Sequence, residues 1–450
     1  MTKKQNSMVE ANVKILTELR LFLHEVVHDK ELRKLFSTHP EGFSRNRKLT
    51  LQNLVGILIN QPKRSLSVEL REFFSCLREE TASCTKGAFS QQRSKLSPLF
   101  FQVWNKWLVD QFYIHYGKAL KRWRSFLLQA VDGSTAYLIH KPEIAQYYGT
   151  QGNQFAAVPM ARVMQLQDVL NDITIWGDLY PAHQSEDAIF AQRISFLAPD
   201  SVTLFDRGYP SFGLMYLMLN QETPRHFVMR CQSNFNKEVS SFLSGPQNSQ
   251  IVHLTASREA IYTLYQHGYQ VTRETSIKIR MVKIVLPTGH IEVLLTDLYD
   301  EKLYSVEDLY QLYGLRWKIE TTYNKQKNQQ QLEQFSGHRV ICIQQDYAAG
   351  VFVANLQSLI EKQSEPYLRQ TNVKRKLAYQ INRNVSWAAL KNNVVKLFLD
   401  NNPRIILEHL QKLFEQNLEP IRPGRNYPRV VKYKRKKGKY QTYTNYKRAI

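Results

Sequence analysis

Between residues 306 and 330, apolar and polar positions recur with the period of one long amphipathic helix. Within it Tyr313, Arg316, Glu320 and Lys327 follow one another at steps of three, four and seven. At 3.6 residues per turn those steps return to one face, so a phenol, a guanidinium, a carboxylate and an ammonium form a single polar stripe. Ion pairs on a solvated helix face would account for such a stripe. A metal-holding Glu320 flanked by phosphate-binding Arg316 and Lys327 would account for it equally well. The rest of the chain decides between these readings.

Residues 8 to 115 read as helical. A mixed amphipathic run covers 13–36. Thr50 can cap a helix over 51–59. Ser67 can cap the next, where Leu70, Phe73, Phe74 and Leu77 fall at i, i+3, i+4 and i+7. Thr85 is placed to cap a helix over 86–96, with Gln91, Gln92, Arg93 and Lys95 expected on its exposed side. A helix, a short link and a polar-faced helix match a DNA-reading helix-turn-helix, with Gln92 and Arg93 as the contacts; two ordinary packed helices give the same pattern. Pro98 opens a further helix that turns Phe100, Trp104, Trp107 and Leu108 to a core.

From residue 125 the period changes. A short apolar run, 126–131, ends in Asp132-Gly133-Ser134. Strands are expected near 157–165 and 168–176, then a helix capped by Ser185. A strand over 201–205 ends in Asp206-Arg207-Gly208-Tyr209, and a helix over 212–219 and a strand over 226–231 follow. The order is β-β-β-α-β-α-β. If the first and fourth strands are neighbours in a mixed sheet, Asp132 and Asp206 converge. Each Asp taken alone is equally a turn residue. Residues 234–300 carry a strand at 251–254, a helix at 257–265, and strands at 276–286 and 291–295 that Pro287-Thr288-Gly289-His290 joins as a hairpin. Helices are expected at 343–360, 387–398 and 403–414.

Charge changes this picture. The 450 residues include 61 Lys and Arg against 39 Asp and Glu, a net charge of +22, which favours a polyanionic partner such as nucleic acid. Residues 422–450 hold eleven Lys or Arg, five Tyr and no acid. Such a tail is expected to be disordered alone and to meet DNA phosphates, or else to serve as a solubilising tail. No apolar run approaches the roughly 18 residues needed to span a bilayer. The start, Met1-Thr2-Lys3-Lys4-Gln5, leads into polar sequence and predicts no signal peptide. Four scattered cysteines suit a reducing cytosol. No Gly-rich phosphate loop occurs, so no NTP is expected. His24-Glu25-Val26-Val27-His28 matches HExxH, the zinc-peptidase pattern, but without other protease signals it reads as two histidines on a helix face.

Taken in order, Asp132-Gly133-Ser134, Asp206-Arg207-Gly208-Tyr209 and the Tyr313, Arg316, Glu320, Lys327 stripe resemble the DDE transposases of bacterial insertion sequences, most closely insertion sequence family 4 with its Y-R-E-K helix. The resemblance covers residues 125–362. It implies an α/β ribonuclease-H-like core with a β-rich insertion, flanked by an N-terminal all-α domain and a C-terminal helical region with a basic tail. The divisions expected are a DNA-binding domain at 1–120, a catalytic core at 121–362 with its insertion at about 234–300, a helical region at 363–421 and the tail at 422–450. It also implies cut-and-paste transposition, with Asp132, Asp206 and Glu320 holding two Mg2+ ions, for which Mn2+ substitutes. Tyr313, Arg316, Lys327 and the aromatic Trp317 would lie against DNA. The partners implied are the element's terminal inverted repeats, target DNA and a second copy in a dimeric synaptic complex, in the bacterial cytoplasm at the nucleoid. A catalytically silent DNA-binding repressor and, more remotely, a zinc peptidase are the alternatives.

Overall fold

The computed structural model describes residues 3–45, 47–77, 84–153, 156–286, 288–400 and 402–422. The basic tail beyond Arg422 lies outside the described residues.

Six helices open the chain: α1 (Lys3–His28), α2 (Lys30–Leu35), α3 (Leu51–Ile59), α4 (Leu66–Cys76), α5 (Lys86–Arg93) and α6 (Leu99–Tyr116). The run over 13–36 divides because the Asp29 carboxylate takes the Leu32 amide at 2.8 Å, an N-cap that starts a second helix. Thr50 and Thr85 cap α3 and α5 through the Asn53 and Ala88 amides. Ser67 does not cap α4, which already begins at Leu66. The expected exposure of Gln92 and Arg93 is also overturned, since both are buried and Arg93 is only 1% exposed. The reason is electrostatic pairing across the fold. Arg93 Nη2 donates to Asp346 at 2.7 Å and to the Cys342 carbonyl at 2.8 Å, while its Nε donates to Gln345 at 2.7 Å. These two side chains face the protein interior and not a DNA groove.

The sheet follows, built from β1 (Leu127–Tyr137), β2 (Thr150–Asn153), β3 (Ala156–Asp168), β4 (Ile173–Pro181), β5 (Ser201–Phe205), β6 (Arg225–Cys231), β7 (Ser249–Thr255), β8 (Ser276–Val285) and β9 (Ile291–Thr296). Its order is β2-β3-β1-β5-β6-β9-β8-β7, with β4 also on β3. β3 runs antiparallel to β1, while β5 and β6 continue parallel to it, so β1 and β5 are neighbours as expected. The strands of the 234–300 segment pair onto β6 through β9 and extend this same sheet. A mixed sheet of this kind with helices on both faces fits a ribonuclease-H-like core. Between the strands lie α7 (Pro142–Tyr148), α8 (Glu186–Ala191), α9 (Phe212–Leu219), α10 (Lys237–Ser244) and α11 (Arg258–Gln266).

The stripe region is two helices, α12 (Val306–Gly314) and α13 (Trp317–Asn328), not the single helix its periodicity predicts. The amides of Leu315 and Arg316 reach back three residues, to Leu312 and Tyr313, as do those of Lys318 and Ile319. This 3₁₀-type joint follows Gly314, a residue of low helix propensity, and tightens the turn just where Arg316 must point inward. The chain closes with α14 (Val340–Glu361), α15 (Glu365–Asn372), β10 (Tyr379–Ile381), α16 (Arg383–Leu399), α17 (Pro403–Gln416) and β11 (Leu418–Pro420).

Strand alternation sorts the core into two faces. Val131 and Phe205 join a large cluster with α1, α3, α6, α14, α16 and α17. Within it Trp104 stacks on Phe352 at 4.1 Å, so the N-terminal helices share a core with α14. Leu128, Ala130, Val202, Leu204, Val228 and Leu294 face the other way, to a cluster with α7, α12 and α13. By the same alternation Asp132, Asp206, Arg230 and Glu292 belong to the α12–α13 side.

Candidate active site

The last paired residues of β1 and β5 are Ala130 and Leu204. Asp132 and Asp206 each lie two residues further on, at equal depth along parallel neighbours. Glu320 reaches the same place from α13. That helix is fixed to β1 by three contacts. The Tyr323 hydroxyl donates to the Asp132 carbonyl at 2.6 Å, and the Lys327 ammonium donates to Ser134 Oγ at 2.8 Å and to the Thr135 carbonyl at 2.7 Å. Buried polar contacts lock the far side, with Gln165 donating to Gln326 at 2.6 Å and Gln167 to Thr322 at 2.7 Å.

At the centre stands Arg316, 2% exposed. Its Nη2 meets Glu320 Oε1 at 2.6 Å and its Nη1 meets Asp132 Oδ2 at 3.4 Å. Asp206 is held from the other side by Arg230, at 2.6 Å, and Arg230 also binds Glu292 at 3.0 Å. Tyr313 is buried and donates to the carbonyl of Phe205, the residue before Asp206, at 3.3 Å. Trp317 is 56% exposed, with the Arg316 guanidinium over its ring at 5.3 Å.

Two features of this arrangement differ from a site open to metal and DNA. Arg316 stands between Asp132 and Glu320 while Asp206 is turned to Arg230, and among the described residues no three His, Cys, Asp or Glu side chains are gathered into a metal-binding group. The attraction of an inward guanidinium for two carboxylates accounts for this arrangement. Likewise Tyr313, Arg316 and Lys327 are not held out toward a ligand, because each is engaged with the protein's own oxygens.

The carboxylates differ sharply in acidity. Burial pushes the Asp132 carboxyl up to about 7, against the pull of Arg316 and the Gly133 amide, with Glu186 and Glu320 adding repulsion. Burial also works on Asp206, but the Arg207 amide, Arg230 and Arg316 outweigh it and hold that carboxyl below its usual range. Asp132 is therefore a mostly buried acid whose negative form lacks full compensation.

Glu186, at the start of α8, was not singled out by the sequence pattern. It explains two motif residues. A Cβ on Gly133 would run into the Glu186 carboxylate, so any larger residue after Asp132 has to push that carboxylate off its partners. The buried Tyr209 hydroxyl donates to Glu186 Oε2 at 3.1 Å, and Arg162 pairs with the same carboxylate. Glu186 thus ties the turn after β5 to Arg162 on β3, with its carboxylate lying against Gly133 of β1. Tyr323 was missed too, though its spacing from Arg316, Glu320 and Lys327 places it on their face; Arg230 was legible only through strand parity. The HExxH histidines sit on α1 with rings 4.2 Å apart, far along the chain from these carboxylates, and gain no third ligand among the described residues.

Three comparisons with known proteins bear on the family of the chain. The "Putative transposase InsZ" of Escherichia coli (strain K12) is 24% identical over 147 residues, 31% of this chain and 49% of that protein. The match thus spans about half the length of that relative. Among solved structures, the cryo-EM structure of the piggyBac transposase synaptic complex with hairpin DNA aligns over 86% of each chain at 11% identity and a TM-score of 0.41. The family described as "Transposase DDE domain" matches residues 127–356, half of the chain, from the first residue of β1 to the interior of α14. The chain belongs to the transposase DDE domain family.

Proposed function

We propose that this protein is a cut-and-paste transposase of insertion sequence family 4, which binds the terminal inverted repeats of its element and cleaves and joins DNA. The observation that supports this most is that Asp132 and Asp206 stand at equal depth on two adjacent parallel strands, with Glu320 brought beside Asp132 from a helix by their shared partner Arg316. The donor set suits hard divalent ions in kind, being all oxygen with an under-compensated buried carboxylate, once Arg316 yields its place between Asp132 and Glu320. Two Mg2+ ions, replaceable by Mn2+, would supply activation of the attacking oxygen and stabilisation of the leaving one at phosphorus.

The remaining roles fall to the chain's own groups. Asp132, Asp206 and Glu320 would hold the ions. Arg316 and Lys327 exchange their internal oxygens for phosphate oxygens when DNA enters, which makes their positions charge-assisted clamps. Tyr313 keeps α12 against the end of β5, and the exposed Trp317 ring stacks on DNA. Strand transfer exchanges one phosphodiester for another, so no NTP is consumed. Residues 1–120 and the basic tail add end contacts, two copies form the synaptic complex, and the work is done at the bacterial nucleoid.

The test is a cleavage assay on end-bearing duplexes with Mg2+ or Mn2+. Asp132→Ala, Asp206→Ala and Glu320→Ala should each lose cleavage by several orders of magnitude while still binding DNA. Near-wild-type cutting by any of the three would remove that residue from the metal site.

A further inference from the structure

α13 has two chemically different sides. At 100° per residue, Lys318 and Lys325 point about half a turn away from Arg316, Glu320 and Lys327. On that reverse side lies a cleft of about 440 Å³, whose lining includes Lys121, Asp172, Lys318, Lys325, Lys362 and Arg383. Its remaining charged groups are Glu361 and Glu365, so five cations meet three carboxylates, an excess of two positive charges.

The pairing is uneven. Asp172 is shared by Lys325 at 3.3 Å and Arg383 at 2.9 Å, and Glu365 by Lys121 at 2.8 Å and Lys362 at 3.5 Å. Glu361 is turned to Ser386 and Gln357. Lys318 gains no carboxylate within salt-bridge distance among the described residues. Lys318 is exposed at the mouth of the cleft, whose walls desolvate its ammonium enough to hold it below the usual lysine range, with Asp172 pulling up and Lys121 pushing down. A cation in that condition is stabilised by an incoming oxyanion.

We propose that this cleft seats a backbone phosphate of DNA, distinct from the phosphate handled at Asp132, Asp206 and Glu320. The inference rests on the transposase reading above. A helix with its side chains is about 10–12 Å across, and a DNA strand rises about 3.4 Å per nucleotide. A strand with one phosphate at Glu320 goes round about half the helix circumference, roughly 16–19 Å, and so reaches the reverse side of α13 in about five nucleotides. Trp317 lies between the two sides and is mostly exposed, a platform over which that strand can pass. The strand is either the bound end with its flank or the target, and both present the same phosphodiester.

The experiment compares wild type with Lys318→Gln and Lys318→Glu, using Lys412→Gln on α17 as a charge-matched control. Binding is measured against salt on three duplexes: a pre-cut end, the same end with flanking DNA, and a branched end-to-target product. Losing one phosphate contact should lower the slope of log affinity against log salt by about 0.9 and weaken binding several-fold, more so for Lys318→Glu. Loss on the pre-cut end assigns the phosphate to the element, loss only with flank to the donor side, and loss only on the branched product to the target. Slopes equal to wild type on all three, or a Lys412→Gln loss of the same size, would overturn the proposal. Wild type that binds and cuts while Lys318 variants match it defeats this inference alone; wild type that neither binds nor cuts defeats the transposase reading as well.

Discussion

Replacing Asp132 with Asn should make the metal-free protein more stable, and more so at higher pH. The Asp132 carboxyl is pushed from 3.8 up to about 7, chiefly by burial. At 1.36 kcal/mol per tenfold change in proton affinity, that corresponds to about 4 kcal/mol. The folded protein binds this proton more tightly than the unfolded chain does. Stability from this group is therefore greatest below about pH 4, falls as pH rises toward 7, and is level above it. Asn has no proton to lose and escapes the fall. The gap between variant and wild type should widen by about 3 kcal/mol between pH 5 and pH 8. The assay is urea unfolding of both proteins in EDTA at the two pH values. Adding Mg2+ at pH 8 should then stabilise wild type and leave Asp132→Asn unmoved, since only the folded wild type gains a ligand. Stability curves that run parallel with pH, or a variant weaker than wild type at pH 8 in EDTA, would refute the claim that this carboxylate is buried without compensation.

Three other outcomes are expected. Arg93→Ala should cost about 3–5 kcal/mol of unfolding free energy, because it strands the buried Asp346 carboxylate; a loss below about 1 kcal/mol in denaturant titration would mean that the pair is not desolvated. Gly133→Ala should cost about 1–3 kcal/mol, since its methyl displaces the Glu186 carboxylate from Arg162 and Tyr209, and should cost clearly less when added to Glu186→Ala, which has already lost those contacts; an equal drop in melting temperature in both backgrounds would place the clash elsewhere. Glu25→Ala should leave metal-dependent DNA cleavage within about twofold, as the outward-facing α1 histidine pair lies outside the site; a large loss measured in the same assay would reopen a role for HExxH.

Local periodicity determines much of this protein. The caps at Thr50 and Thr85, the strand ending at Phe205, the helix over Phe212–Leu219 and the hairpin of β8 and β9 all follow from spacings within a dozen residues. So does the common face of Arg316, Glu320 and Lys327, because a helix repeats whatever its surroundings. Partners far apart in the chain are another matter. Arg93 and Gln92 read as surface polar residues, yet Arg93 is drawn in by Asp346 and Gln345, some 250 positions away, and Gln92 by the Leu49 carbonyl, 43 positions back, which no window around α5 contains. Glu186 looks like an ordinary first-turn acid until β1 brings Gly133 beneath it. The stripe itself kept its face but lost its continuity at Leu315 and Arg316. Sequence placed a guanidinium beside a carboxylate; only the docking of α13 on β1 brought a second carboxylate, Asp132, within its reach and decided that the cation points inward. Helix and strand registers are set by neighbours in sequence, whereas charge compensation is set by neighbours in space.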